Sequence, residues 1–105
     1  MSGSIRIERD AEEELRGSII WYEQIGAGLG VEFYREVQRV LKMIKRFPGI
    51  GSPVPKVPSH RNTRRVLLRR FPFIVVYRER ETDIQVIAFA HTSRQHGYWR
   101  DRSEG

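Results

Sequence analysis

The sequence predicts an α+β domain of two layers. An N-terminal strand and a helical hairpin precede a three-stranded antiparallel meander, which completes a four-stranded antiparallel sheet. Three observations predict this. Residues 64–78 hold the densest run of β-branched and aromatic residues; Pro72 interrupts the run, giving strands over about 64–70 and 72–79 that turn at Phe71-Pro72. A third apolar run, Ile84 to His91, follows the polar turn Glu81-Thr82-Asp83. Upstream, two stretches carry apolar residues at three- and four-residue spacing and are divided by a glycine cluster.

Taken in order, Ser4 to Glu8 reads as a short strand. Asp10 reads as a helix N-cap, with Glu13 three residues later in a capping-box pattern. The acidic run Glu12-Glu13-Glu14 complements the helix dipole in the first turn, which accounts for it without chemistry. Ala11, Leu15, Ile19 and Tyr22 give a narrow apolar stripe, ending near Ile25. Gly26, Gly28 and Gly30 lie between two helices and no Lys-Ser/Thr follows them, so they form a helix–helix turn and not a phosphate loop. The second helix runs from about Leu29 to Phe47, with apolar Phe33, Val37, Val40, Leu41, Ile44 and Phe47 recurring every three or four residues; Pro48-Gly49 stops it. Residues 48–63 hold four prolines and no periodicity, an extended connector of a length usually functional or mobile. Because the helices reverse direction, the first strand is expected to run antiparallel to the second and to the fourth, at either edge of the sheet.

The faces of the meander carry the first functional clue. After Pro72, Phe73, Val75 and Tyr77 point one way and Ile74 and Val76 the other; on the last strand Ile84, Val86, Ala88 and Ala90 oppose Ile87 and Phe89. Both strands are apolar on both faces, where a sheet with one wet face alternates. The hairpin covers one face. The other is expected to be left for a partner.

The 105 residues suffice for one domain, spanning 1–105. The chain has no cysteine, which removes disulfides and Cys-based metal sites. No apolar run reaches membrane-spanning length and the N-terminus lacks a signal-peptide pattern, so a cytoplasmic protein without membrane association is expected. Residues 56–105 hold eleven Lys/Arg against five Asp/Glu, which is the entire formal charge of +6. Arginine binds phosphate and carboxylate as a fork, so this half implies a polyanionic partner, nucleic acid or an acidic protein segment, unless it is simply a solvated basic surface.

The C-terminal stretch His91-Thr92-Ser93-Arg94-Gln95-His96-Gly97-Tyr98-Trp99 is the place to seek chemistry. His91 ends an apolar strand, where a hydrogen-bonded structural histidine is the commoner role. Tyr98 and Trp99 follow a glycine and pack a tail onto the body more readily than they stack on a base. His60 and His96 show no metal-ligand spacing and read as surface residues; no metal or other cofactor is expected.

Several stretches then occur in a telling order: Ala11-x-x-x-Leu15 with Trp21-Tyr22, Leu29-Gly30-x-x-Phe33, Phe47-Pro48-x-x-Gly51, Arg64-Arg65-x-Leu67, Phe71-Pro72-Phe73-x-Val75-x-Tyr77, and Ala90-His91-x-x-Arg94-x-x-x-Tyr98-Trp99. This ordered set resembles the RelE/ParE superfamily of toxins from type II toxin–antitoxin systems, and more the ParE branch. The resemblance implies growth inhibition, plasmid stabilisation and a complex with a cognate antitoxin. ParE-like members inhibit DNA gyrase or topoisomerase by protein contact. RelE-like members cleave mRNA on the ribosome without a metal; in that case Arg65, His91, Arg94 and Tyr98 would supply the catalytic groups. The loop before the second strand carries only Lys56, His60 and Arg61, a departure from the nucleases' lysine-rich set. A third reading is a module that binds an antitoxin but is not toxic.

The partner implied is an acidic, amphipathic antitoxin segment that folds as it binds against the sheet and the hairpin. Arg64, Arg65, Arg69, Arg70, Arg78 and Trp99 are the expected contacts. Without a partner, the uncovered sheet face should drive self-association, unless the tail from Arg94 folds back over it.

Overall fold

β1 (Ser4–Ile7) sets Ile5 and Ile7 beside Ile84 and Val86, in parallel register. A computed structural model of the protein describes residues 4–58, 61–94, 97–100 and 102. α1 (Arg9–Ile25) and α2 (Leu29–Arg46) follow, then a 3-10 turn at Pro48–Ile50. β2 (Ser52–Pro53), β3 (Thr63–Leu67), β4 (Phe73–Glu79) and β5 (Asp83–His91) complete the chain's regular elements. The α+β class and the strand–hairpin–meander order agree with the sequence. The sheet differs in being mixed and five-stranded, in the order β1-β5-β4-β3-β2.

The difference has a simple cause. The helical hairpin does return the chain antiparallel to β1, but the strand it meets there is β2, inside the connector. β2 opposes β3, β3 opposes β4 and β4 opposes β5, so one extra reversal turns β1 and β5 parallel. A two-residue strand holding Pro53 carries no alternation and no β-branched run, so the sequence gives no signal of it. The connector is also better anchored than its prolines suggest. The Tyr77 hydroxyl donates to the Pro48 carbonyl and accepts from the Gly51 N–H, and Val54 is buried.

α1 begins one residue before the expected cap. Glu8 is its N-cap, without a side-chain cap bond: its carboxylate accepts from Gln85 Nε2 at 2.6 Å, while its N–H donates to Val86 O at 3.0 Å and carries the pairing of β1 into the helix start. Asp10 thus lies inside the first turn with Glu12, where both complement the dipole. At the hairpin turn Gly28 takes φ 84°. The Glu23 carboxylate accepts from the N–H groups of Gly28 and Gly30 at 2.9 and 3.0 Å, so α1 caps its neighbour. Phe33, Val37, Val40 and Ile44 of α2 are fully buried against the sheet, as their spacing predicts, whereas Phe47, the C-cap residue, lies past the helix end and is 56 % exposed.

The sheet has two cores. On the helix side Phe73, Val75, Tyr77, Ile84, Val86 and Phe89 join the helical residues. On the other side Val76, Ile87, Ala88 and Ala90 pack with Val54 and Trp99, and with partly buried Ile74, Val57 and Tyr98. Ala88 and Ala90 therefore face away from Ile84 and Val86, against the expected alternation. A β-bulge explains it: Val76 pairs with Ala88 and Tyr77 with Val86, which leaves Ile87 as an extra residue and flips the faces beyond it. The face expected to await a partner is covered by the chain's own connector and tail.

Candidate functional site

β5 ends at His91, and the chain turns there: Thr92 N–H donates to Pro72 O at 2.8 Å and Arg94 N–H to His91 O at 3.0 Å. Pro72 thus fixes the turn that delivers Ser93 and Arg94 beside α1. Between this turn and α1 lies a cleft of about 500 Å³, lined by Glu13, Gly17, Trp21, His91, Ser93 and Arg94 with Phe73 and Phe89 behind. Gly17 carries no side chain, which opens the helix side of the cleft. Trp21, 54 % exposed, stands at its rim.

The ring of His91 meets Phe73 edge-on at 5.1 Å. Its Nδ1 accepts from the Ser93 backbone N–H at 3.0 Å and lies 2.7 Å from the Ser93 hydroxyl. A backbone N–H can only donate, so Nδ1 is the unprotonated nitrogen and the neutral ring carries its proton on Nε2. The structural hydrogen bond expected for a strand-ending histidine is therefore present. Arg94 is exposed and stacks its guanidinium over Tyr98, 4.1 Å from the ring centroid.

Tyr98 does not face the cleft as a free acid or base. Its hydroxyl donates to the Glu14 carboxylate in a short hydrogen bond. Burial first, and then this bond, push its pKa up to about 12. Glu14 also accepts from Phe89 N–H at 3.1 Å and from Arg102 Nη1 at 2.9 Å. Arg102 reaches Asp10 as well, at 3.5 Å, and the Ile87 carbonyl. β1 stops short of this part of β5, so Glu14 and Arg102 satisfy backbone groups that the sheet leaves unpaired there.

Of the four candidate catalytic residues, the fold brings His91, Arg94 and Tyr98 to one end of the sheet and leaves Arg65 apart. Arg65 pairs with Val76 on the connector-covered face, whereas His91 pairs with Phe73 on the helix face. The two positions are three residues apart along β4, or roughly 10 Å.

The candidate partner-binding residues are dispersed. Arg64 donates to Gly51 O at 2.7 Å, and Arg78 Nε to Arg61 O at 3.1 Å. Arg69 and Arg70 sit in the β3–β4 turn against α2: Glu36 accepts the Arg69 backbone N–H at 2.6 Å, and Glu32 pairs with Arg70 at 2.9 Å. Arg70 takes φ 69°, a left-handed conformation unusual for its type. Trp99 is 2 % exposed inside the second core, so its surface packs the tail onto the sheet. His60 and His96 lie outside the described residues.

A second surface feature lies on the hairpin. Ile20, Val31 and Tyr34 are each more than two-fifths exposed and line an apolar groove of about 480 Å³ between α1 and α2. Sequence reading placed none of these three in a site, since single apolar residues off the main stripe carry no signal before the packing is known. Glu14 was hidden for another reason: its partners lie 75 to 88 residues away in the chain.

Together these features describe a small α+β domain with two self-covered sheet faces, a polar cleft at the strand end and an apolar hairpin groove. The same fold occurs in a solved chain titled as a chromosomal ParDE TA system from P. aeruginosa. It aligns with a TM-score of 0.73 and 21 % identity, over 88 % of this chain and 98 % of that one. Residues 5–96 match the family model described as ParE toxin of type II toxin-antitoxin system, parDE. The chain belongs to this family. A comparison with curated proteins gave no match. Among the described residues no helix is long and apolar enough to cross a membrane.

Proposed function

We propose that the protein is a growth-inhibiting toxin that acts on DNA gyrase or a related topoisomerase by protein–protein contact, without cleaving RNA, and that a cognate antitoxin neutralises it. The observation that carries this reading is that two of the four groups a nuclease would use are withheld from the cleft. Arg65 lies on the opposite sheet face from His91, and the Tyr98 hydroxyl is committed to Glu14. A phosphoryl transition state needs its charge-stabilising and proton-transferring groups converging on one atom.

The antitoxin contact follows from what the fold leaves uncovered. With the second sheet face occupied by Val54, Val57 and Trp99, the hairpin groove of Ile20, Val31 and Tyr34 is an apolar surface that the described residues leave open. An amphipathic segment suits such a groove, and Arg69 and Arg70 of the β3–β4 turn, which packs against α2, would orient its carboxylates. One observation favours a second reading, a ribosome-dependent endoribonuclease: His91 and Arg94 do share a cleft.

Expression in bacteria tests the toxin reading itself. Induction of soluble protein should arrest growth, and the co-encoded neighbour should restore it. Normal growth with soluble protein would leave only a non-toxic module that retains antitoxin binding.

A further inference from the structure

We infer that the cleft between α1 and the end of β5 is an anchor pocket for a peptide of another protein, taking an aromatic side chain on Trp21 and the carboxylate beside it on Arg94 and His91. This goes beyond the choice of cellular target, since it concerns the chemistry of the cleft alone.

The apolar half of the argument rests on Trp21. An indole 54 % exposed at the rim of a cleft floored by Phe73 and Phe89 offers a flat aromatic wall with an open side at Gly17. Tryptophan is among the residue types on which binding energy concentrates once a partner buries them. The volume of about 500 Å³ admits one aromatic side chain and its neighbour.

The polar half rests on two donors. Among the described residues, Arg94 forms no ion pair; its face is stacked on Tyr98, which leaves its edge N–H groups for a planar acceptor. The Ser93 backbone N–H holds His91 in the Nε2–H form, and Nε2 has no hydrogen-bond partner among the described residues. A guanidinium edge and an imidazole N–H on one wall suit a single carboxylate.

Nucleic acid fits less well. Among the described residues that line the cleft, Arg94 is the only Lys or Arg, enough for one carboxylate and too few for a phosphodiester chain. Tracking a backbone also takes a row of cations, whereas Arg64, Arg70 and Arg78 point to other partners elsewhere on the fold.

The test is heteronuclear NMR of the labelled protein titrated with the peptide acetyl-Gly-Phe-Asp-Gly-amide. The Trp21 indole N–H and the amides around Ser93 and Arg94 should shift, while the buried Trp99 indole stays in place as an internal control. Replacing the peptide's Asp by Asn, or Arg94→Gln in the protein, should weaken binding by roughly tenfold, the loss expected for a charge-assisted bond. Replacing its Phe by Ala, or Trp21→Ala, should do the same. Both protein variants alter exposed side chains, and an unmoved Trp99 indole certifies their fold. Absence of shifts, equal binding by all peptides, or shifts given only by a hexauridylate oligonucleotide would each overturn the proposal.

Discussion

Glu14 on the second turn of α1 accepts the hydroxyl proton of Tyr98, 84 residues further along the chain. The same carboxylate takes the Phe89 N–H and the Arg102 guanidinium, so one side chain joins helix, strand end and tail. Glu14→Gln keeps the shape but loses the charge. It should cost about 2 kcal/mol, the scale of hydrogen bonds to an ionised group, and Glu14→Ala should cost more. Urea denaturation measures both, and hydrogen exchange at Phe89 should accelerate in step.

The alkaline limb of the stability curve should report Tyr98. Its folded pKa is raised to about 12 from 10.0, so the neutral phenol is the form the fold prefers. That stabilisation is fully present below about 10 and is lost as pH rises toward 12. Burial also raises Tyr22 and Tyr77, which add to the same window. Denaturation midpoints across this range should fall less steeply for Tyr98→Phe than for wild type; identical slopes would remove Tyr98 from the account.

Trp99→Ala should empty the second core, where the indole packs on Val76, Ile87 and Ala88. A loss of about 3–5 kcal/mol is typical for a buried tryptophan. The tail should then come away and expose an apolar sheet face, so light scattering should detect more self-association than in wild-type protein. A monomeric variant of near-normal stability would mean that the tail does not cover this face in solution.

The hairpin depends on Gly30 for a steric reason. A Cβ there would sit 2.7 Å from the Ile19 carbonyl oxygen, backbone that cannot easily move away. Gly30→Ala should therefore destabilise by about 1–3 kcal/mol despite alanine's better helix propensity. Thermal unfolding decides it, and a gain in stability would contradict the close packing of α1 on α2.

What the sequence made legible follows from the range of each interaction. The buried face of α2 could be read from Phe33, Val37, Val40 and Ile44 because a period of 3.6 is local information. The strand-forming runs were legible for the same reason, and the ordered motifs pointed to the toxin family now matched over residues 5–96. β2 was not legible, since two residues hold no period, and its omission alone turned a mixed sheet into an expected antiparallel one. The bulge at Ile87 was hidden because an extra residue shows only against its partner strand. At the site, His91 and Arg94 were legible as neighbours in the chain. The exclusion of Arg65 was not, because the face it occupies is fixed by pairing with β4.

The account's central claim is that the protein acts by contact and not by cleavage. The most direct measurement titrates folded protein into a DNA gyrase supercoiling reaction, alongside ribosomes translating a labelled mRNA. The account predicts that supercoiling is inhibited while the mRNA stays intact. Cleaved mRNA with unimpaired supercoiling, abolished by Arg94→Ala in a variant whose circular dichroism matches wild type, would contradict it.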